Sequence, residues 1–378
     1  MNPMKSVNFL LLFIFLFATA CKSQDNLRAF TADQKATSAT IKLLANMKAL
    51  SGKGIMIGHQ DDLAYGKDWK APAGKSDVYS VCGDYPAVFG WDLGGIENGA
   101  SVNLDSVPFA DMRKYAIEVY SMGGINTFSW HLNNPLTGSN AWDISRNDVV
   151  RSILTEGETQ AVYIAWLDRV AAFLSSLKNE KGELIPVIFR PFHEQSGSWF
   201  WWGKSHCTAD EFSRLWQFTF TYLTETKKLH NLVYAFSTGG DFTTTSEFAD
   251  RYPGDKFVDI VGFDYYQSAG QSNADFIKTL NSRLKTLLEF ATAKQKIAAI
   301  TELGYEQIPD AEWWTKTFYP AVKDLPVSYA LFWRNAANRP NHYYVPYPGQ
   351  ISENDFRKLY DLRETLFLRD LEKIHIYK

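Results

Sequence analysis

The sequence predicts an α/β fold, a single (β/α)8 barrel with extended strand-to-helix loops. Three observations carry this expectation. Eight short apolar runs alternate with longer segments of helical character, and strands that alternate with helices pair in parallel through right-handed crossovers. The runs end in polar or aromatic residues, as strands do when their C-terminal ends open on a binding site. After the first run stand Gly58, His59, Gln60, Asp61 and Asp62 in place of a Gly-rich phosphate loop, which disfavours an open doubly wound sheet.

At the N-terminus, Lys5 precedes the apolar run Phe9 to Phe17, then Ala18, Thr19, Ala20 and Cys21. That run is too short to span a bilayer and stay, so residues 1–21 read as a cleaved export signal. A Cys after small residues resembles the lipid-attachment site of a bacterial lipoprotein, with Ala18 where Leu is usual. The expectation is an exported, membrane-anchored lipoprotein of the periplasm or cell surface, lipidated at Cys21, with residues 22–30 as a tether.

Residues 31–378 then form one catalytic domain, with no linker or low-complexity tract to divide it. Residues 31–50 carry Ile41, Leu44 and Met47 at helical spacing, closed by Leu50, Ser51 and Gly52. The strand candidates are 54–59, 86–92, 124–131, 185–194, 232–236, 258–264, 297–302 and 327–333. Their helical partners include 109–122, 161–177, 209–228, 273–291 and 310–323. A long insert, 136–159, follows the third strand and is placed to extend or wall off a cleft. Residues 341–349 read as a loop and 352–371 as a final helix.

A formal net charge of -3 and the lack of any long charged run exclude a nucleic-acid surface and leave a soluble, neutral partner. Membrane contact is expected through the lipid anchor alone, and the chain is expected to be a monomer. Aromatic residues make up 15% of the chain, with 12 Trp, too many for the core to explain all. Phe is mostly core. Trp69, Trp142, Trp199, Trp201, Trp202 and Trp333, beside polar residues, read as platforms for a ring-shaped ligand. Cys82 and Cys207 are too few and too distant to specify a disulfide framework.

In a barrel the strand ends converge on one mouth, which brings together His59, Asp92, Trp130, His131, His193, Glu194, Asp264, Tyr265, Tyr266, Glu302 and Trp333. Two glutamates stand out, Glu194 after the fourth strand and Glu302 after the seventh. Cleavage of a glycosidic bond needs such a pair, one carboxyl protonated and one ionised. Aromatic neighbours Phe192, Trp199 and Trp201 would desolvate Glu194 and favour its proton. Hydrogen bonds around Thr301 and Gly304 would keep Glu302 ionised. A bland alternative makes either glutamate a salt-bridge partner of Arg190 or a Lys. No H-E-x-x-H or Cys/His cluster occurs, so neither metal nor cofactor is expected. No G-x-S-x-G elbow points to a serine nucleophile.

Arg190, Pro191, Phe192, His193 and Glu194 with Trp199, the run from Trp130 to Pro135, the run from Val261 to Tyr266, the run from Ile300 to Gly304, and Phe332 with Trp333 together resemble a family 26 glycoside hydrolase of the β-mannanase kind. The resemblance covers nearly the whole mature chain in order. It implies a retaining endo-acting enzyme on β-1,4-mannan, glucomannan or galactomannan, with Glu194 as acid/base and Glu302 as nucleophile. It also implies that His193 and Trp199 line the cleft beside the acid, that Tyr266 hydrogen-bonds the nucleophile, and that Trp333 forms the sugar platform at the subsite before the cleavage point, where His131 binds the same ring. Two alternatives stay open at the level of sequence: the same mechanism on β-1,3-xylan or mixed-linkage glucan, and a surface glycan-binding protein without catalysis.

Overall fold

A computed structural model describes residues 31–378, so the expected signal, Cys21 and the tether lie outside the described residues. All eight expected strands form: β1 (Ile55–Gln60), β2 (Val88–Asp92), β3 (Ile125–Trp130), β4 (Val187–Pro191), β5 (Leu232–Gly239), β6 (Ile260–Gln267), β7 (Ile297–Tyr305) and β8 (Tyr329–Phe332). Each runs parallel to the next, and β8 pairs with β1 through Met56↔Tyr329 to His59↔Phe332, so the sheet closes into a barrel. A short strand, Thr365–Leu366, adds to the start of β1.

Side-chain alternation along each strand sorts the apolar residues into two cores. Phe89, Phe128, Phe189, Phe236 and Phe263 point outward and pack in the helical layer. Met56, Val88, Ile125, Ile188, Val233, Ile260 and Tyr329 point inward at the N-terminal ends of the strands, in one cluster with Leu43, Leu44, Met47 and Leu50 of α1 (Ser38–Leu50). α1 therefore plugs one end of the barrel. Followed toward the other end, the same inward columns turn polar: Gln60, Asp92, Arg190, Ser237, Asp264, Thr301 and Glu302, all buried. The plugged end leaves the polar end as the only place where these columns meet solvent and ligand.

Residues 31–37, expected to be helical, instead run along the plugged end. There Ala32 N donates to Asp259 Oδ1 at 2.7 Å and Asp33 Oδ2 pairs with His230 Nδ1 at 2.8 Å. The expected helix over 310–323 is a π turn, Trp314–Phe318, followed by the short helix Tyr319–Val322. Pro320 has no N–H to continue the regular ladder, and the turn before it widens. The expected final helix over 352–371 is two, Glu353–Tyr360 and Leu368–Ile374, because pairing of Thr365 and Leu366 with β1 interrupts it. The insert over 136–159 contains a helix of its own, Val149–Leu154. Cys82 and Cys207 are both free thiols, and no helix among the described residues is long and apolar enough to cross a membrane.

Candidate active site

β4 ends at Pro191, and two of the next three residues, Phe192 (φ 51) and Glu194 (φ 54), adopt left-handed backbone. Non-glycine residues hold that conformation only where the surroundings enforce it, and such strain concentrates at functional sites. Here Phe192 is anchored among Trp201, Trp202 and Phe212, ring centroids 6.1 to 6.4 Å away. Glu194 N donates to Ser237 O on β5 at 3.0 Å. The Glu194 carboxyl meets Trp199, whose Nε1–H donates to Oε2 at 2.8 Å. Gly197 makes that approach possible, since a Cβ there would sit 2.2 Å from the indole. Burial pushes Glu194 up to about 8, the negative charges of Asp264 and Glu302 add to this, and the Trp199 bond opposes it.

Glu302 reaches the same space from β7. The β6–β7 register passes from Phe263↔Ile300 to Asp264↔Glu302, so Thr301 is an extra residue, a bulge of the kind that re-aims side chains beside active sites. Because of it both Thr301 and Glu302 face inward. Arg190 forms ion pairs with Glu302 Oε1 and, at 2.9 Å, with Asp264 Oδ2. Tyr266 donates its hydroxyl to Glu302 Oε2 at 2.7 Å. Burial and the Asp264 charge raise Glu302 to about 7, while Arg190, His131 and Tyr266 pull it down. A guanidinium and a phenol O–H favour the ionised form of Glu302, whereas Glu194 has a single indole N–H and is the better placed of the two to hold a proton.

The far wall is built on two histidines. His131, just after β3, pairs through Nδ1 with Asp92 Oδ2 at 2.6 Å, and its Nε2 lies 3.0 Å from Nε2 of His193. Trp142, from the insert after β3, stacks on the His131 ring at 5.4 Å and is 49% exposed; Trp199, bonded to Glu194, is 46% exposed. Trp333 follows β8, with its ring 6.4 Å from that of His131. The residues expected to have catalytic or substrate-binding roles, Glu194, Glu302, His131, His193, Trp199, Tyr266 and Trp333, therefore gather at one end of the barrel.

Several expectations are corrected. His59 continues the outward parity of Ile55 and Ile57 and pairs with Asp62 at 2.6 Å, outside the mouth. Trp130 is outward too, with Nε1 on Glu97 at 3.0 Å. Trp69, Trp201 and Trp202 are buried and offer no sugar a face; Trp201 and Trp202 pack behind the site against Phe192, and Trp69 bonds to Asp77. Thr301 does not hold Glu302: its hydroxyl donates to Asp264 Oδ1 at 2.7 Å, and Glu302 is held by Arg190 and Tyr266. Of the two candidate tyrosines, Tyr265 instead accepts from Gln271 at 2.9 Å and stacks on Phe276. The Arg190 salt bridge is real, yet it orients Glu302 within the cleft and does not remove it from chemistry. What sequence reading missed is the pairing of Arg190 with both β6 and β7 and of Asp92 with His131. Strand parity is the signal that finds both, since Asp92, Arg190 and Asp264 all share the inward column.

His193, Asp264 and Glu302 bring ligating atoms within 4.8 Å of one another, the only such cluster among the described residues. The donor set does not fit a metal, because Arg190 already occupies the charge of both carboxylates. The arrangement fits glycosidic bond cleavage: a carboxyl that holds its proton on one side, an ionised one held by two donors on the other, and exposed indoles between them and solvent.

Comparison with known proteins agrees with this chemistry. Residues 32–318 match the model of glycosyl hydrolase family 26. A mannan endo-1,4-beta-mannosidase of Bifidobacterium adolescentis is 33% identical over 93% of this chain, which spans 37% of that longer protein. One from Bacillus subtilis is 30% identical, with 72% of this chain and 76% of the relative covered. Among solved structures, a family 26 β-mannanase from Bacteroides ovatus superposes with a TM-score of 0.87 at 46% identity, over 90% of this chain and 98% of that one. The catalytic domain of a Bacillus sp. JAMB-750 endo-β-1,4-mannanase gives 0.85 at 33%, over 92% and 96%. With the family model matched over residues 32–318 and the barrel superposing on solved members, the chain belongs to glycosyl hydrolase family 26.

Proposed function

We propose that this chain is a retaining endo-β-1,4-mannanase that cleaves mannan, glucomannan or galactomannan by double displacement. The observation that carries the reading is the contrast between Glu194 and Glu302. Glu194 is half-buried beside Trp199 and favours its proton, whereas Glu302 is buried and gripped by Arg190 and Tyr266. In the first step Glu302 attacks the anomeric carbon while Glu194 protonates the departing oxygen. In the second, Glu194 takes a proton from water, which displaces Glu302 and releases the sugar. His193 and Trp199 frame the acid, and His131 and Trp333 hold the ring at the cleavage point. The curated relatives named above as mannan endo-1,4-beta-mannosidases support mannan as substrate.

The test is the product profile on plain mannan, galactose-substituted mannan, β-1,3-xylan and mixed-linkage glucan. Random shortening of the two mannans and inertness of the others is the expected outcome. Activity on glucan or xylan alone would reassign the substrate, and disaccharide alone from the first time point would replace the endo mode.

Export and lipidation at Cys21 complete the reading. Residues 31–37 lie along the plugged end, on the side opposite the mouth. Metabolic labelling with palmitate should mark the intact chain and not Cys21→Ala; equal label on both sinks the anchor.

A further inference from the structure

Asp92 has no place in the mechanism above, yet it is fully buried and has four donors. Ser129 Oγ donates to its Oδ2 at 2.6 Å, Gly94 N to Oδ1 at 2.7 Å, and His131 approaches with both its backbone N, 3.3 Å from Oδ1, and its ring Nδ1, 2.6 Å from Oδ2. A carboxylate so surrounded accepts from all four, which fixes the proton on His131 Nδ1. The imidazole can therefore vary only at Nε2, and that atom lies 3.0 Å from Nε2 of His193. One proton must lie between the two nitrogens. Burial and the nearby cations keep His193 neutral, so either His131 is a cation that donates to it, or both rings are neutral and His193 donates.

We propose that Asp92 is a positioning residue that holds His131 as an imidazolium, donating to His193 and facing Glu302 as a second cation beside Arg190. The groups around His131 decide between the two proton arrangements. Asp92 comes from β2, Arg190, His193 and Glu194 from β4 and the turn after it, Glu302 from β7, and Asp105 from the loop before the helix Phe109–Ser121. Burial opposes charge on His131, but Asp92 and Glu302 outweigh it and raise the ring above its usual value. Burial drives His193 the other way, and the charges of His131 and Arg190 add to that. Of the two rings His131 is the one built to carry a charge, since Asp92 accepts from its Nδ1 at 2.6 Å while Nδ1 of His193 is buried with no partner. The cation in turn favours the ionised form of Glu302. Trp142 stacked on its ring shields it from water.

This inference rests on Glu302 acting as the ionised nucleophile, and its test separates the two ideas. Nitrogen-15 NMR of histidine-labelled full chain at pH 7 should show His131 protonated at both nitrogens and His193 at Nδ1 alone. In Asp92→Asn the His131 ring should become neutral. A neutral His131 in the unsubstituted protein overturns the proposal whatever the roles of the glutamates. In kinetics, Asp92→Asn should move the acid limb of kcat/KM upward by about half to one pH unit. His131→Gln should give the same displacement, the double variant no more, and Asp92→Glu should restore most of it. A loss of kcat/KM by one factor at every pH would mark Asp92 as merely structural and also overturn the proposal. If NMR finds the cation but Glu302→Ala keeps hydrolytic activity, the nucleophile assignment fails while the charge state of His131 stands.

Discussion

Tyr266 donates its hydroxyl to Glu302 Oε2 at 2.7 Å while Arg190 holds the other oxygen, so the carboxylate cannot rotate freely. A nucleophile fixed in this way has already lost the orientational freedom it would otherwise give up in the transition state. Tyr344 stands edge-on to Tyr266 at 5.6 Å, and Gly304 leaves room for it, since a Cβ there would be 2.2 Å from its ring. A hydrogen bond to a charged group contributes about 1.5–3 kcal/mol. Tyr266→Phe should therefore lower kcat on mannan by about 10- to 100-fold with little change in KM. Steady-state kinetics check this, and an unaltered kcat would show that the bond plays no part in the reaction.

The two glutamates should separate by leaving group. Glu302→Ala removes the nucleophile and should abolish hydrolysis of every substrate. Glu194→Ala removes the proton that a sugar leaving group needs, but an activated aryl leaving group departs without it. That variant should lose polysaccharide activity and retain a burst of aryl release. Adding azide should accelerate its turnover. Equal losses on both substrates would contradict the assignment.

The pH profile has a definite sign for Trp199. Its N–H donates to Glu194, and such a bond favours the charged carboxylate. Activity requires Glu194 protonated and Glu302 ionised, so the basic limb of kcat/KM follows Glu194 and the acid limb follows Glu302. Trp199→Phe removes the bond, Glu194 holds its proton to higher pH, and the basic limb should move up from about 8. The acid limb should stay in place. A basic limb that moves down would mean that loss of shielding outweighs loss of the bond.

The barrel was legible because each strand is a short apolar run with a polar end, and both features are local. Glu194 and Glu302 were legible for the same reason, as residues at the ends of runs. Tyr266 on Glu302, Trp199 beside Glu194 and a salt bridge from Arg190 were expected too, but the double pairing of Arg190 and the bond from Asp92 to His131 were not. Arg190 joins β6 and β7 from β4, and Asp92 joins β2 to His131 after β3; such contacts depend on closure and on inward parity, which no single run displays. Trp201 and Trp202 looked like Trp199 in sequence but differ in exposure, because the turn after Glu194 directs one indole to solvent and the other two inward. Thr301 was misread because the bulge that turns it toward Asp264 arises only when β7 is in register with β6.

Arg190 supplies the last test, because its removal should be costly in a pH-dependent way. Arg190→Met leaves Glu302 and Asp264 facing each other without their shared cation, and an unpaired buried charge of this kind costs about 3–5 kcal/mol. Glu302 already lies above the ordinary carboxylate range through burial and the Asp264 charge, and Arg190 is among the groups that restrain it. Without Arg190 its folded-state value rises further, while the unfolded value stays near about 4.3. Between those two values the folded state binds more protons than the unfolded one, so stability falls as pH rises. The unsubstituted chain shares that loss up to about 7, so the deficit of Arg190→Met should stay level from pH 5 to about pH 7 and grow from there to pH 8. Urea unfolding at these pH values measures it, and a deficit that does not grow with pH would mean that the guanidinium acts by packing rather than by charge.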